Sequence, residues 1–388
     1  MLYKIQQRLS SYFNKYFAEP KNAKKQLSNY INAKQQLLHL KAEIEANRNN
    51  LLVIKVDDIG DFLLFVNAFI EFLKLQPNKK IYLLLNEVCI ELAKKLLPDS
   101  VSIIEFNKHN WFNKNTYKQQ IAESLLIINP NKVLFPSFTR VPMLEGILQL
   151  LFDPKKIYAW KRVAERGESI EAINYLNIAD NLFDLFNEPL HETEINKLFF
   201  EKYLRKDLRT NNFIDFDNDI SHLKLPDKYI IICPGGNQKS KRYSANKYAQ
   251  LVKILNKKFS DFAFVCIGSN NDKNAGDIIL KNQTKSINLC GKTTLTELMT
   301  VCKNSTLFIG NDTGAAHMAA LQNVKTIVLA NGNRYMRFFP YPNLYKNVCL
   351  VYPGSFIKSK KVYNWNYKTN INEIKPFEVA AIVDEILN

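Results

Sequence analysis

The sequence predicts an α/β protein made of two domains, each built on a parallel sheet. Three observations lead there. From Leu51 onward, short apolar runs alternate with helical segments, the pattern of βαβ units. The alternation pauses in a polar stretch, Arg209 to Lys228, and restarts beyond it with the same design. The chain of 388 residues also exceeds the size at which a single core usually stops growing. Its hydrophobic share of 46% is enough for sizeable cores and excludes a disordered chain.

The expected elements follow in order. Residues 1–50 carry nine Lys or Arg against three Glu, and Leu2, Ile5, Leu9, Phe13 and Phe17 recur at helical spacing. This predicts one or two basic amphipathic helices, suited either to an anionic membrane surface or to packing on the protein itself. Residues 51–208 form the first domain. "LLVIKV", "IYLLL", "VSIIEF" and "KVLFPS" read as strands, "FLLFVNAFIEFLKL" and the stretches 90–97 and 119–128 as helices, and 165–206 as mostly helical. Residues 209–228 read as a linker. Residues 229–350 form the second domain, with strands in "YIIICPGG", "FAFVCIGS", "KSINLCG", "STLFIGNDTG" and "VKTIVLANG". Its helices lie in "SANKYAQLVKILNKKF" and "TLTELMTVCKN". Residues 351–388 end in a closing helix over 376–387.

The net charge of +16 points to an acidic partner, which could be a phosphorylated substrate, an anionic membrane surface or nucleic acid. No nucleic-acid motif accompanies the charge, so nucleic acid is set aside. The six cysteines form no C-x-x-C pair and have no His at ligand spacing, which argues against a zinc site and for a reducing compartment. No apolar run reaches the roughly 18 residues of a membrane-spanning helix, and the first residues lack a signal-peptide block. A cytoplasmic protein, peripheral on the inner membrane through its basic segment, is the expectation.

Ligands of open α/β sheets bind beyond the carboxyl ends of strands. Three polar loops sit there. In "IGNDTGAAHMAAL", Gly310 and Gly314 permit close backbone approach, and a helix start offers free N–H groups to a phosphate. Thr313 can add a hydroxyl donor. Asp312 can accept from sugar hydroxyls or cap the helix, and His317 can face the same side or simply fill the core. In "CPGGNQKSKRYSANKYAQL", the amides of Gly235 and Gly236 with a following lysine make a second anion site, unless the loop is only a turn with surface lysines. In "VIKVDDIGDFLLFVNAF", Asp61 is either a helix-terminal cap or a carboxylate placed to act as a base. "CGKTTL" imitates the end of a P-loop, but Ser286 stands where that motif needs glycine, so ATP hydrolysis is rejected.

Together these loops resemble glycosyltransferase family 9, the ADP-heptose:lipopolysaccharide heptosyltransferases. The resemblance spans roughly Leu51 to Pro340 and is strongest from Ile231. Family segments look like a small-residue loop leading to Lys-Arg-Trp, then Asn-Leu-x-Gly-Lys-Thr-x-Leu-x-Glu-Leu, then Gly-Asn-Asp-Ser/Thr-Gly-x-x-His-x-Ala-Ala. This chain has "GGNQKSKRY", "NLCGKTTLTEL" and "GNDTGAAHMAA". The resemblance implies a GT-B fold, two Rossmann-like domains facing a cleft, here with an extra N-terminal helical segment. It implies inverting, metal-independent transfer of a sugar, with ADP-heptose as the family's donor, onto a lipid-linked lipopolysaccharide or related surface-glycan acceptor. No cofactor is implied. By position Asp61 would be the base and Lys241 would bind the donor phosphates. Gly235, Gly236, Asn237, Asp312, Thr313, Gly314 and His317 would hold the donor, with Asp272 matching a ribose contact loosely. Tyr243 departs from the family's Trp, the segment before Leu51 is an addition, and similarity fades from about Leu344. The reading from another class is a non-catalytic sugar-nucleotide-binding or scaffold protein of the same fold.

Overall fold

The computed structural model describes residues 47–137, 144–161, 179–184, 190–358 and 369–388. The helical expectation for the N-terminal segment falls on residues 1–46, outside the described residues. The chain divides into two compact units. The first comprises the described residues of Met1–Asp58, Phe69–Phe186 and Leu198–Leu208. The second comprises those of Ile59–Ala68, Asn187–Lys197 and Arg209–Asn388.

The elements of the first sheet, with the helices between them, run β1 (Asn47–Lys55), α1 (Ile59–Lys74), β2 (Lys80–Asn86), α2 (Ile90–Leu96), β3 (Val101–Phe106), α3 (Lys108–Asn113), α4 (Asn115–Ile128), β4 (Pro130–Phe135), α5 (Leu144–Leu151), β5 (Ile157–Trp160), β6 (Asn181–Phe183) and α6 (Glu192–Leu204). All pairings in the sheet are parallel, in the order β3-β2-β1-β4-β5-β6. This is the doubly wound order of a Rossmann fold. Leu52, Ile54, Val133 and Phe135 are fully buried in its core with Trp111 and Leu148, which is why the strands read as near-continuous apolar runs.

One sequence expectation is corrected here. β1 begins at Asn47, four residues before Leu51, because its polar start is still useful to the fold: Asn50 is buried and its Nδ2 donates to Ile128 O at 2.6 Å. The stretch 165–206, expected to be mostly helical, holds α6 among its described residues. Its described residues include β6, a three-residue edge strand too short to show a period, hydrogen-bonded alongside β5, which the sequence reading also passed over.

The second sheet repeats the design. Its elements are β7 (Tyr229–Cys233), α7 (Ala245–Lys258), β8 (Ala263–Cys266), α8 (Lys273–Ile279), β9 (Ile287–Asn288), α9 (Leu295–Lys303), β10 (Leu307–Asn311), α10 (Gly314–Leu321), β11 (Thr326–Leu329), β12 (Val348–Val351), α11 (Gly354–Lys358) and α12 (Pro376–Leu387). The order β12-β11-β10-β7-β8-β9 is again parallel throughout and again doubly wound. Every residue of β7 and β10 is buried, as expected of central strands covered on both faces. Residues 209–228 are irregular apart from a short turn at Ser221–Leu223 and lie along the second unit, where Ile214 N donates to Leu321 O at 2.6 Å and Lys303 pairs with Asp215 at 2.9 Å.

The P-loop imitation has a local purpose. Thr294 caps α9 and Glu297 reaches back to it, Thr294 N donating to Glu297 Oε2 at 2.8 Å. That reciprocal capping explains Thr-x-x-Glu here without any nucleotide.

Candidate functional site

In a doubly wound sheet the crevice opens where strand order reverses. In the second unit that point lies between β7 and β10, the two strands that end in the Gly-Gly loop and the Asn-Asp-Thr-Gly loop. The two loops are tied together by Asn311, the last residue of β10. Its side chain is fully buried. Nδ2 donates to Pro234 O at 2.8 Å and to Gly235 O at 2.9 Å, and Oδ1 accepts from Tyr248 Oη at 2.9 Å and from Tyr243 N at 3.3 Å. Sequence reasoning missed Asn311 as an organiser, although it stood inside a quoted motif. A polar side chain ending a fully apolar strand is the signal that could have found it.

Beyond Asn311, Asp312 pairs with Lys241. Lys241 Nζ lies 2.5 Å from Asp312 Oδ2, with both side chains 11% exposed. Thr313 holds the N-cap position of α10 without a side-chain cap bond, its Oγ1 lying 3.9 Å from Cys233 Sγ. α10 begins at Gly314, two residues after the Asp312 that Lys241 holds, and a helix start near a lysine is suited to a phosphate group. Gly236 is half-buried and Asn237 exposed on the rim. Arg242 Nε donates to Gly236 O at 2.7 Å. Asp272 lies against this loop from the end of β8: a Cβ on Gly235 would come within 2.8 Å of its Oδ2. The same oxygen accepts from Ser269 N at 2.9 Å and Ser269 Oγ at 2.7 Å, so Asp272 also braces its own turn. Tyr243, in place of the family's Trp, is buried edge-on against Tyr248 with ring centroids 5.0 Å apart, and its Oη donates to Ile374 O at 3.0 Å.

Asp61 reaches the same unit because Ile59–Ala68, the first part of α1, belongs to it. Gly60 lies against α10. A Cβ there would meet His317 Cδ2 at 2.9 Å, so glycine is what admits this approach. Asp58 stands at the N-cap position, while Asp61 sits in the first turn with its Oδ1 3.7 Å from Arg337 Nη2. Arg337, Glu192, His191 and Tyr341 around it went unread in the sequence. The first two form an ion pair, Arg337 Nε donating to Glu192 Oε2 at 2.8 Å. The signal was a fourth strand-end loop, "NGNRYMRFFPYP" after β11, dense in basic and aromatic residues.

His317 is buried rather than facing solvent. Its Nδ1 lies 2.8 Å from Tyr341 Oη and its ring stacks on Phe339 at 4.7 Å. Burial, helped by the Lys241 charge, pushes its pKa down to about 3, so the ring is neutral. His191 is likewise pushed down to about 3 by burial. Phe338 O can only accept, so His191 Nε2 carries the proton of their 2.8 Å bond.

At the switch point of the first sheet, Asp57 is held by Lys55 Nζ at 3.0 Å and by the Ser137 hydroxyl, and its carbonyl accepts from Asn86 Nδ2 at 2.8 Å. Among the described residues no group of three or more His, Cys, Asp or Glu could hold a metal ion, and no helix is long and apolar enough to cross a membrane.

The family model described as glycosyltransferase family 9 (heptosyltransferase) matches residues 169–364, just over half of the chain. The chain belongs to glycosyltransferase family 9. The family match continues past Leu344, where similarity was expected to fade. Among curated relatives, the chain is 24% identical over 213 residues to lipopolysaccharide heptosyltransferase 3 of Escherichia coli, covering 51% of this chain and 61% of that protein. It is 30% identical over 145 residues to lipooligosaccharide heptosyltransferase 2 of Campylobacter jejuni, covering 36% and 44%. The matches thus span less than two thirds of these relatives' lengths. The fold is similar to that of the E. coli heptosyltransferase WaaC with ADP, with a TM-score of 0.66 and 14% identity over 87% of this chain and 99% of that one. The family's GT-B architecture of two Rossmann-like sheets is therefore the fold of this chain.

Proposed function

We propose that this family 9 chain is an inverting, metal-independent glycosyltransferase that moves a sugar from a nucleoside diphosphate donor to a lipopolysaccharide-type acceptor. Heptose, carried on ADP, is the sugar to test first. The observation that carries the reading is the convergence at one switch point of two glycine-flanked loops, a helix N-terminus and Lys241. The names of the curated relatives, heptosyltransferases of lipopolysaccharide and lipooligosaccharide, support the substrate class.

In this reading Asp61 takes the proton of the acceptor hydroxyl. The acceptor oxygen attacks the anomeric carbon from the face opposite the diphosphate. The anomeric C–O bond breaks, and its electron pair leaves with the nucleoside diphosphate. Lys241 and the amides of Gly235, Gly236 and α10 offset the charge that builds on the leaving group. Asn237, Thr313 and Gly314 border the diphosphate, Asp312 reads sugar hydroxyls and Asp272 the ribose. His317, neutral and packed on Phe339, supports that wall. A placed base of this kind contributes about 10²–10⁴ in rate. The acceptor domain, expected over 51–208, starts with β1 at Asn47, and the donor domain, expected over 229–350, takes in β12 to Val351, with 209–228 joining them. The lipid-linked acceptor places the enzyme on the cytoplasmic face of the inner membrane, with the basic N-terminal segment on its anionic surface.

The test is release of ADP from ADP-heptose, with and without heptose-deficient lipopolysaccharide, in the presence of a chelator. Acceptor-dependent release is expected. No release from ADP-heptose or from a panel of other nucleotide sugars overturns the activity, and release that needs Mg²⁺ or Mn²⁺ overturns the metal-free mechanism.

A further inference from the structure

Asp61 lies beside an arginine that is itself held by a second carboxylate. The side chain of Arg337 is 2% exposed and that of Glu192 is 0% exposed. The guanidinium donates through Nε to Glu192 at 2.8 Å, holds Nη2 3.7 Å from Asp61 Oδ1, and lies 4.7 Å from the centroid of the Phe338 ring. Two further hydrogen bonds repeat the fastening. Glu192 N donates to Arg337 O at 2.7 Å, and His191 Nε2 donates to Phe338 O at 2.8 Å. The start of α6 and the 334–341 loop are thus fixed to each other at adjacent residues, so Arg337 has little freedom to swing. A planar guanidinium fork can address two carboxylates at once, which an ammonium on a flexible stem does poorly. The two contacts differ in kind. The shorter is a charge-assisted hydrogen bond that immobilises the arginine, whereas the longer is an electrostatic attraction beyond hydrogen-bond length.

Other titratable groups stand near Asp61 among the described residues. The packed elements bring His191 and Glu192 from α6, Arg337 and Tyr341 from the loop, and His317 from α10, with the Lys241–Asp312 pair beyond His317. Asp58, just before α1, is largely exposed. Both histidines are kept neutral by burial, and burial also raises the Tyr341 hydroxyl far above its ordinary range. Lys241 and Asp312 neutralise each other.

We propose that Arg337, clamped by Glu192, is a positioning residue for Asp61: it keeps the carboxylate ionised and oriented, and Glu192 tempers its charge. The consequence for transfer rests on the reading of Asp61 as the base, while the coupling of the three side chains does not.

The test needs no substrate. A water-soluble carbodiimide modifies protonated carboxyl groups, so labelling of Asp61 at mildly acidic pH, followed by peptide mass spectrometry, reports how ionised that carboxylate is. Glu192→Gln leaves the arginine charge unopposed and is expected to lower Asp61 labelling. The double variant Arg337→Gln/Glu192→Gln removes both charges, avoids an unpaired buried carboxylate, and is expected to raise labelling above wild type, by about threefold to tenfold. Opposite shifts are the signature, because simple loosening of the structure would raise labelling in both. Equal labelling in all three proteins, or a rise in both variants, overturns the proposal. In the transfer assay the double variant should lose kcat with the donor KM little changed, and Arg337→Lys should recover part of the loss. A kcat equal to wild type in the double variant overturns the positioning role. Near-wild-type turnover by Asp61→Asn removes the base assignment instead, even where the labelling shifts are as expected.

Discussion

Lys241 and Asp312 meet at 2.5 Å in a setting where each side chain is only 11% exposed, so each is the other's main counter-charge in the absence of a ligand. Under the proposed function, removing the lysine takes away a charge-assisted contact to a donor diphosphate. We expect Lys241→Ala to weaken ADP binding roughly tenfold to hundredfold, the range of a hydrogen bond to a charged group. Calorimetry with ADP checks this, and unchanged affinity would place Lys241 outside the donor site. Asp61→Asn should instead abolish transfer while ADP affinity stays within about threefold, because a base acts on the acceptor. His191 and His317 give a pH dependence of stability. Both have folded pKa values pushed down to about 3 by burial, against an ordinary 6.5. Between those values the unfolded chain binds protons that the native state does not. Their contribution is therefore complete above about pH 6.5 and declines as pH falls, by about 1.4 kcal/mol per pH unit for each histidine. Urea unfolding over this range should show the decline, and His317→Asn should make it shallower. The motif residues Asp312, Thr313, Gly314 and Lys241 were legible in the sequence because strand ends and glycines mark them. The pairing of Arg337 with Glu192 was not, because no local spacing reports an ion pair across 145 positions.

At the scale of elements, the loop after β7 and the loop after β10 are one construction. Asn311 joins the end of β10 to the end of β7 with two donated and two accepted hydrogen bonds. Asn311→Ala should cost about 2–4 kcal/mol, because it strands buried carbonyls and the Tyr248 hydroxyl without partners. Chemical denaturation measures that cost. ADP affinity should fall alongside it, since the Gly235 loop loses its anchor, whereas a stability loss with intact affinity would separate the two loops. The central strands were readable because parallel strands buried on both faces make unbroken apolar runs. β6 escaped because it is a three-residue edge strand, made by pairing alongside β5 and not by composition, and β5 and β12 were passed over with it. The polar beginning of β1 escaped for a related reason: Asn50 is held by one hydrogen bond to Ile128 O, which no hydropathy pattern displays.

At the scale of the whole molecule, both sheets share one strand order, so the two-domain α/β architecture followed from the restart of the βα alternation after Lys228. The basic segment can now be removed more cleanly than its composition suggested. A truncation at residue 50 would cut into β1, whereas one ending at residue 45 spares the strand. That shorter deletion should lower binding to anionic liposomes, each basic residue near such a surface being worth about 1 kcal/mol. Transfer to a soluble acceptor fragment should change much less. Liposome binding equal to that of the full chain would rule out the membrane role. The cysteines offer a separate view of the molecule. All six are thiols, and all but Cys349 are buried. Burial raises the Cys233 pKa to about 11 and the Cys290 pKa to about 12, so almost none of either is the reactive thiolate at neutral pH. Cys89 lies in the first unit and the other five lie in the second. An alkylating reagent therefore acts as a clock for opening. The order in which Cys89 and the buried thiols of the second unit acquire label, as urea is raised, tells which unit lets go first.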